Sequence, residues 1–428
     1  MIAGFVAGGA IGVLFGERPI LFNVTVAELG TLGMLVIRLL KALAIPLVLF
    51  AILSGILKFS ISGKQGGKLL LICAVNVSVA MAIGLTIMNT LEPGRFWRER
   101  MTQLESRVSQ AGSVHKTEAS AKATLDPLKN LSGYIPESVV QPLLNNNIIS
   151  VIFVALLAGF ALRRVKEDGG EGAVVSGIHT LENCIGAVYE CLVQMLSWIV
   201  RLVPFAVMGL VAQAVGRSGL EIFSSLWIFV AVLVGGLVMH GAVYYPLVAW
   251  FRAGKSPRKL FSEGADALVM GLSTNSSLAT APTTLDCLTR KMGVSERSAR
   301  LSACVGTNLN NDGVTLYEAM AALFLAQACG MDLTLGAQFA IVAAAIMAGV
   351  GVAGIPEAGL IVLPLVLGAA GLPDWIVAAA IPLILPVDWL VARARSGVNV
   401  MSDILVALLL DGNERSGVRP QEIAVSNS

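Results

Sequence analysis

Long apolar runs, separated by short polar segments, fill the chain from its first residues to about residue 251. They cover about residues 2–16, 29–57, 68–91, 136–162, 182–214 and 222–251. Several runs reach the roughly 20 residues that a helix needs to cross a ~30 Å hydrocarbon core. The pattern predicts a polytopic helical membrane protein.

The apolar sequence after residue 256 is interrupted by Ser, Thr, Asn, Gly and Pro. The interruptions are MGLSTNSSLATAPTTL at 270–285, NLNNDGVT at 308–315 and AAAIMAGVGVAGIPEAGL at 343–360. Non-helical backbone at membrane depth is tolerated only where it is buried or lines a cavity. We therefore expect two re-entrant hairpins around a discontinuous helix, the arrangement by which transporters form a site at the midplane. Ordinary Gly-rich helix packing is the alternative, but it leaves the polar cluster at 308–312 unexplained.

A row of polar and charged positions runs along the last predicted span. Residues at helical spacing share one face, and ionisable groups at bilayer depth normally face a polar cavity or a partner. The row therefore indicates a solute or ion site. Its members are Asp388, Ala392, Arg395, Asn399 and Asp403.

Composition agrees with a membrane class and excludes several others. Of 428 residues, 56% are hydrophobic and 14% are charged, and mean hydropathy is +0.78, whereas roughly a quarter of a soluble domain is charged. A net charge of +2 gives no indication of a nucleic-acid partner. The six cysteines and three scattered histidines form neither a disulfide framework nor a metal cluster, and we expect no bound cofactor.

Clusters of Lys and Arg orient the predicted spans. By the positive-inside rule the three basic loops are cytoplasmic, which places both termini and the tail 412–428 inside and the mixed-charge segment 93–135 outside. Short loops in a compact chain suit a bacterial inner membrane. The basic residues are Lys58, Lys64 and Lys68, then Arg163, Arg164 and Lys166, then Arg252, Lys255, Arg258 and Lys259.

Four motifs make the chain resemble the dicarboxylate/amino acid:cation symporter family, which includes the glutamate transporters. They are STNSSLATAP at 273–282, NNDGVTLYEA at 310–319, AGIPEAG at 353–359 and DWLVARARSGVNVMSD at 388–403. The resemblance implies an all-α inverted-repeat fold with about eight transmembrane helices plus two hairpins. It also implies a homotrimer in which an elevator-like transport domain moves against a scaffold.

The resemblance divides the chain between these two parts. The scaffold would hold helices 1–2 (1–67) and 4–5 (136–216). The transport domain would hold a third helix (68–92), a sixth (217–255), hairpin 1 (256–292), the discontinuous helix (293–330), hairpin 2 (331–371) and the last helix (372–411).

The resemblance also assigns substrate-binding residues, with departures from the family pattern. Arg395 matches the arginine that holds the substrate's distal carboxylate, a task suited to a planar guanidinium. Asp388, two turns earlier on the same face, is placed for an internal salt bridge with it. Ala392 stands where amino-acid carriers have the aspartate that binds the ammonium, and Val314 replaces a threonine. The other candidates are Asn399, Ser276, Ser277, Ser396 and Gly354.

Coupling ions follow from the same comparison of motifs. One sodium site would use Asp403 with Asn399, Asn310 and Gly306, oxygen ligands that suit a hard cation. A second needs Asn310 and Asp312 with three oxygen ligands from the third span, but Cys73, Asn76 and Val77 occupy those positions. A third uses hairpin carbonyls at Gly349 and Val352 and stays open. Glu318 and Glu357 are candidate proton carriers, because apolar surroundings favour a neutral carboxyl.

These residues predict a proton-coupled symporter of small, four-carbon dicarboxylates that works by alternating access, with residual sodium at Asp403. The closest alternative is a sodium-coupled aspartate or glutamate symporter. An anion channel is a second alternative. An intramembrane hydrolase built on Ser276 or Ser277 is disfavoured, since no nearby histidine or lysine in sequence would activate a serine.

Overall fold

The computed structural model is all-α, as predicted. It describes residues 2–16, 18–20, 24–58, 63–98, 136–144, 148–168, 173–219, 221–352, 358–369, 372 and 374–415. The predicted outer segment beyond residue 98, the tip of hairpin 2 (353–357) and the tail beyond residue 415 lie outside the described residues.

One group of helices packs around the longest helix of the first half. This group contains α1 (Ile2–Phe15), α2 (Val26–Lys58), the short α4 (Gln141–Leu144), α5 (Ile148–Glu167) and α6 (Ala173–Ser218). Both α1 and α2 lie along α6. Gly4, Gly8 and Gly12 face α6 so closely that a Cβ at each would overlap it, which is how small residues let membrane helices approach. Lys166 Nζ lies 2.7 Å from Glu182 Oε2 and neutralises this carboxylate, which explains how α6 carries an acid within an apolar run.

A second group surrounds one central helix. Its first members are α3 (Gly63–Leu91), the 3₁₀ turn Pro93–Trp97, α7 (Glu221–Val238) and α8 (Tyr245–Ala253), with the π-helical turn Met239–Tyr244 between α7 and α8. The central helix is α12 (Asp312–Ala328), nearly every residue of which is buried. A helix that is apolar on all sides belongs in a core, and α3, α7 and the later helices cover α12.

Two helical hairpins and the last helix complete this group. The first hairpin consists of α9 (Pro257–Thr274) and α10 (Ser277–Asp286), continued by the turn Cys287–Lys291. The broken helix comprises α11 (Glu296–Arg300), the turns Leu301–Val305 and Gly306–Asn308, and then α12 after a break at 309–311. The second hairpin is α13 (Leu335–Val352) and α14 (Ala358–Ala369), and α15 (Asp374–Arg415) ends the described chain.

Four described stretches are long and apolar enough to cross a membrane: Val26–Leu57, Gln65–Leu91, Ser176–Gly216 and Leu226–Ala253. The predicted span at 136–162 differs from the structure at its start, because only the single turn α4 precedes α5. Pro136 and Pro142 account for this difference, since proline lacks the N–H that a continuous helix requires.

Candidate functional site

The tip of hairpin 1 is shaped by local side-chain hydrogen bonds. Asn275 adopts the left-handed conformation (φ 54°) that ends α9. Ser276 then caps α10, because its hydroxyl accepts from the backbone N–H of Ala279 at 3.1 Å. Thr280 donates back to the Ser276 carbonyl at 2.7 Å. The sequence therefore fixes the turn that carries the two candidate serines.

The second candidate serine connects this tip to the broken helix. The hydroxyl of Thr307 donates to the Ser277 hydroxyl at 3.3 Å, and both side chains are buried. The 3₁₀ turn Gly306–Asn308 holds Thr307 in place just before the break. Hairpin 1 and the break are thus in direct polar contact.

Arg395 forms a buried ion pair inside the last helix. Its Nη2 lies 3.0 Å from Oδ2 of Asp388, and both side chains are at most 3% exposed. The guanidinium carbon sits 4.0 Å from the centre of the Tyr317 ring, a cation–π contact. The predicted salt bridge is therefore present, and an aromatic face from α12 orients the guanidinium.

The guanidinium also faces hairpin 2 and a further carboxylate. A Cβ at Gly359 would overlap Arg395 Nη1, so the absence of a side chain there admits the arginine. Glu318 is 0% exposed, lies within electrostatic range of Arg395 and Asp388, and has no hydrogen bond to its carboxylate oxygens among the described residues. Arg395 is consequently the shared counter-charge of two carboxylates.

Three other candidates of the substrate site are also buried. Ala392 is 1% exposed, one turn before Arg395. The Ser396 hydroxyl has no hydrogen-bond partner in the described part of the chain. Val314 is buried near the start of α12. Gly354 and Glu357 fall within 353–357 and lie outside the described residues.

The break before α12 is held by the Asn399 amide of α15 and by the Gly349 carbonyl of α13. Asn399 Oδ1 accepts from the backbone N–H of Gly313 at 2.8 Å, and Asn399 Nδ2 donates to Asn311 Oδ1 at 3.2 Å. Asn311 Nδ2 donates in turn to the Gly349 carbonyl at 2.9 Å. The Asn399 side chain therefore stabilises the non-helical backbone of the break.

The surroundings of Asp403 suit a cation. Asp403 Oδ1 and the Asn310 amide atoms are buried and make no hydrogen bond within the residues that the structure covers. Asn310 and Thr307 lie beside the Asp403 carboxylate, and the Gly306 carbonyl accepts from the Asn310 backbone N–H at 2.8 Å. Buried oxygens without donors are costly unless a positive partner satisfies them, so these residues fit a hard cation.

The surroundings of Asp312 differ, because hydrogen-bond donors already reach one of its two carboxylate oxygens. Tyr245 donates to Asp312 Oδ2 at 2.7 Å and Ser402 donates to the same oxygen at 2.8 Å. His240 Nε2 lies 3.4 Å from it, and its ring is 0% exposed. These donors occupy lone pairs of Oδ2, while Oδ1 makes no hydrogen bond among the described residues, so the protein itself partly satisfies the Asp312 carboxylate.

The third span adds few oxygen ligands to this second site. The Asn76 carbonyl oxygen already accepts from the Tyr244 hydroxyl at 3.1 Å. Cys73 is buried as a free thiol, and Val77 offers no polar atom. The loss of this site stays a prediction; of these three side chains Asn76 alone offers an oxygen, and that oxygen already accepts a hydrogen bond.

Several residues around these sites were not found from the sequence. His240, Tyr244 and Tyr245 occur in an apolar run, MHGAVYY, with no motif to identify them. Tyr317 lies inside the quoted motif at 310–319, and its position directly before Glu318 was the one available signal.

Comparison with known proteins identifies the class. A family model described as the sodium:dicarboxylate symporter family matches residues 1–412. The chain belongs to this family. Family members are transporters, so the chain is a transporter and not an enzyme, and its apolar helices are those of a multi-pass membrane protein.

Relatives of this family member cover nearly its whole length. Excitatory amino acid transporter 3 of Bos taurus is 28% identical over 449 residues, which is 94% of this chain and 82% of the relative. Excitatory amino acid transporter 1 of Ambystoma tigrinum is 26% identical, with 98% and 84% covered. Neutral amino acid transporter B(0) of Mus musculus is 27% identical, with 100% and 83% covered. The predicted family is confirmed, and the names of these relatives include excitatory and neutral amino acid transporters.

Proposed function

We propose that the protein is a secondary symporter of small dicarboxylates without an α-amino group. One observation carries this proposal: next to Arg395, the buried helix face offers Ala392 where an ammonium would need an anion. Asp388, one turn before Ala392 on that face, is already paired with Arg395 at 3.0 Å. A buried ammonium without a counter-charge is poorly compensated, so the site favours a substrate that carries only negative groups.

Arg395 binds one carboxylate of the substrate in this proposal. Its guanidinium is held by Asp388 and by the Tyr317 ring, so that its fork is oriented before substrate arrives. Hydroxyls and backbone amides at the hairpin tips, among them Ser276 and Ser277, hold the other carboxylate. Hairpin 2 acts as the extracellular gate.

Proton coupling follows from the charges around Arg395. With Asp388 and Glu318 both ionised, one guanidinium faces two carboxylates before a dianion enters. A proton on Glu318 removes one of these negative charges and so favours substrate binding. We assign the coupling proton to Glu318, with Glu357 as a further candidate, and residual sodium binding to Asp403, Asn310 and Gly306.

The assembly and location in this proposal come from the family resemblance and the loop charges. We infer a homotrimer in the cell membrane, with both termini cytoplasmic and an elevator-like movement of the group that contains α12. The partners are the substrate anion and the lipid bilayer.

The first test is uptake of labelled succinate and labelled aspartate into proteoliposomes. A proton gradient is imposed alone, and then a sodium gradient alone. We expect uphill, saturable succinate uptake with the proton gradient and without sodium. Sodium-dependent aspartate uptake would contradict the proposal, and a flux that never runs uphill would indicate a channel.

A matched pair of variants tests the role of Ala392. Ala392→Asp adds a negative charge beside Arg395, and Ala392→Asn adds the same volume without charge. We expect A392D to lower kcat/KM for succinate about 100-fold more than A392N, because a buried like charge costs several kcal/mol. Equal losses in the two variants would assign the effect to volume and remove the argument against an ammonium substrate.

A further inference from the structure

One buried side-chain amide connects the second hairpin to the broken helix. Asn311 Nδ2 donates to the Gly349 carbonyl at 2.9 Å, and Asn311 Oδ1 accepts from Asn399 at 3.2 Å. Asn311 is 3% exposed and immediately precedes α12, Gly349 lies in α13, and Asn399 lies in α15. A single side chain therefore joins three elements.

The Gly349 carbonyl requires such a partner. Gly349 is the fourth residue from the end of α13 at Val352, so its carbonyl is among the last four that have no partner within the helix. The residue is buried, which makes an unsatisfied carbonyl costly. Either an N–H donor or a cation can satisfy it, and here the donor comes from Asn311.

Gly349 also determines how closely the two helices approach. A Cβ at this position would lie 2.5 Å from the Thr315 hydroxyl and 3.8 Å from the Asn311 Cβ. Any side chain at 349 would therefore push α13 away from α12 and lengthen the bond to Asn311. Gly349 and Asn311 thus form this contact together: the glycine allows the close approach, and the asparagine supplies the hydrogen bond.

We propose that Asn311 is a positioning residue that latches hairpin 2 to the broken helix, so that closure needs no cation at the Gly349 carbonyl. The proposal rests on the proposed function, because a carrier driven by protons would need an internal N–H donor, rather than a sodium ion, at the Gly349 carbonyl. Asparagine suits this contact, because its side-chain amide supplies both the N–H donor to the Gly349 carbonyl and the acceptor for Asn399. The latch is thus a property of the Asn-Asn-Asp-Gly sequence at 310–313.

Hydrogen exchange of the purified full-length protein, without sodium and without substrate, tests the latch. Asn311→Leu removes both hydrogen bonds of the Asn311 side chain, to Gly349 and to Asn399, at similar side-chain volume. We expect exchange in peptides from 341–352 to accelerate about tenfold, the effect of losing one or two hydrogen bonds, while α9 and the second half of α15 keep their parental rates. The matched control is Thr315→Val, which removes a hydroxyl at the same contact and leaves the Asn311–Gly349 bond, so that exchange in 341–352 stays at the parental rate.

Unchanged exchange in 341–352 of N311L would overturn the proposal. If N311L accelerates exchange throughout the protein, Asn311→Asp decides the question, since it keeps an acceptor for Asn399 and lacks the donor to Gly349. Acceleration confined to 341–352 in N311D supports the latch, and acceleration everywhere overturns it. The exchange experiment uses neither substrate nor gradient. Sodium-driven aspartate uptake would therefore reject the proposed function without changing the interpretation of the exchange result.

Discussion

Two buried aspartates near the break before α12 differ in the hydrogen-bond donors that reach their carboxylates. Asp312 Oδ2 accepts hydrogen bonds from Tyr245 and Ser402 on two other helices, although Oδ1 makes none among the described residues. Asp403 Oδ1 also makes no well-formed hydrogen bond there, and its carboxylate has only Thr307 and Asn310 beside it. Both aspartates match sodium ligands in the family resemblance. The donors around each carboxylate, more than the carboxylate itself, therefore distinguish the two positions.

The largest expected effect separates the two aspartates by their response to sodium. A cation at 100 times its Kd stabilises the folded protein by about 2.7 kcal/mol. We expect Asp403→Asn to abolish the sodium-dependent rise in Tm and Asp312→Asn to retain it. The measurement is thermal unfolding of the purified protein in sodium chloride against choline chloride at equal ionic strength.

The same measurement can contradict this assignment in two ways. Loss of the sodium effect in D312N, with D403N unchanged, would reverse the comparison. A parent protein whose Tm does not respond to sodium would remove the cation from Asp403 as well. Lithium or potassium in place of sodium provides the control for ion specificity.

An intermediate effect compares two buried serines, one beside each aspartate. Ser402 donates to the Asp312 carboxylate at 2.8 Å, and Ser302 donates to the backbone carbonyl of Asp403 at 2.6 Å. Bonds to charged groups are the stronger ones, and polar contacts within membranes average about 0.6 kcal/mol with a maximum near 1.7. We expect Ser402→Ala to reduce the free energy of unfolding by about 1.5 kcal/mol and Ser302→Ala by about 0.6 kcal/mol. Denaturant titrations in one detergent would measure both, and a larger loss in S302A would show that Asp312 is not held as a charged acceptor.

The sequence predicts contacts within one helix better than contacts between helices. The pairing of Asp388 with Arg395 was predictable, because residues seven apart share a helix face. The donors to Asp312 were not, since Tyr245 is 67 residues before it and Ser402 is 90 residues after it. Such neighbours depend on how α8, α12 and α15 pack, and a periodic pattern carries no information on that packing.

The fold, too, was predictable where it depends on local sequence and was not where it depends on helix packing. Apolar runs and small-residue interruptions predicted an all-α chain, because their lengths and periods follow from helix geometry. The lone His240 gave no signal, although its ring is fully buried and stacks on Tyr244 with a centroid distance of 5.0 Å. Its position becomes informative only when the carboxylate of Asp312 is known to lie 3.4 Å away.

The smallest expected effect concerns the third span. Cys73→Ser together with Val77→Thr adds two hydroxyl oxygens to the Asp312 side at nearly constant volume. We expect the sodium dependence of Tm to stay within about 0.5 kcal/mol of the parent, because Tyr245 and Ser402 still donate to Asp312 Oδ2. Adding Tyr245→Phe and Ser402→Ala removes those donors, and only then do we expect a sodium response larger than that of the parent. A sodium response larger than the parent's in C73S/V77T, with the increase lost again when D312N is added, would mean that missing ligands rather than resident donors keep sodium away from Asp312.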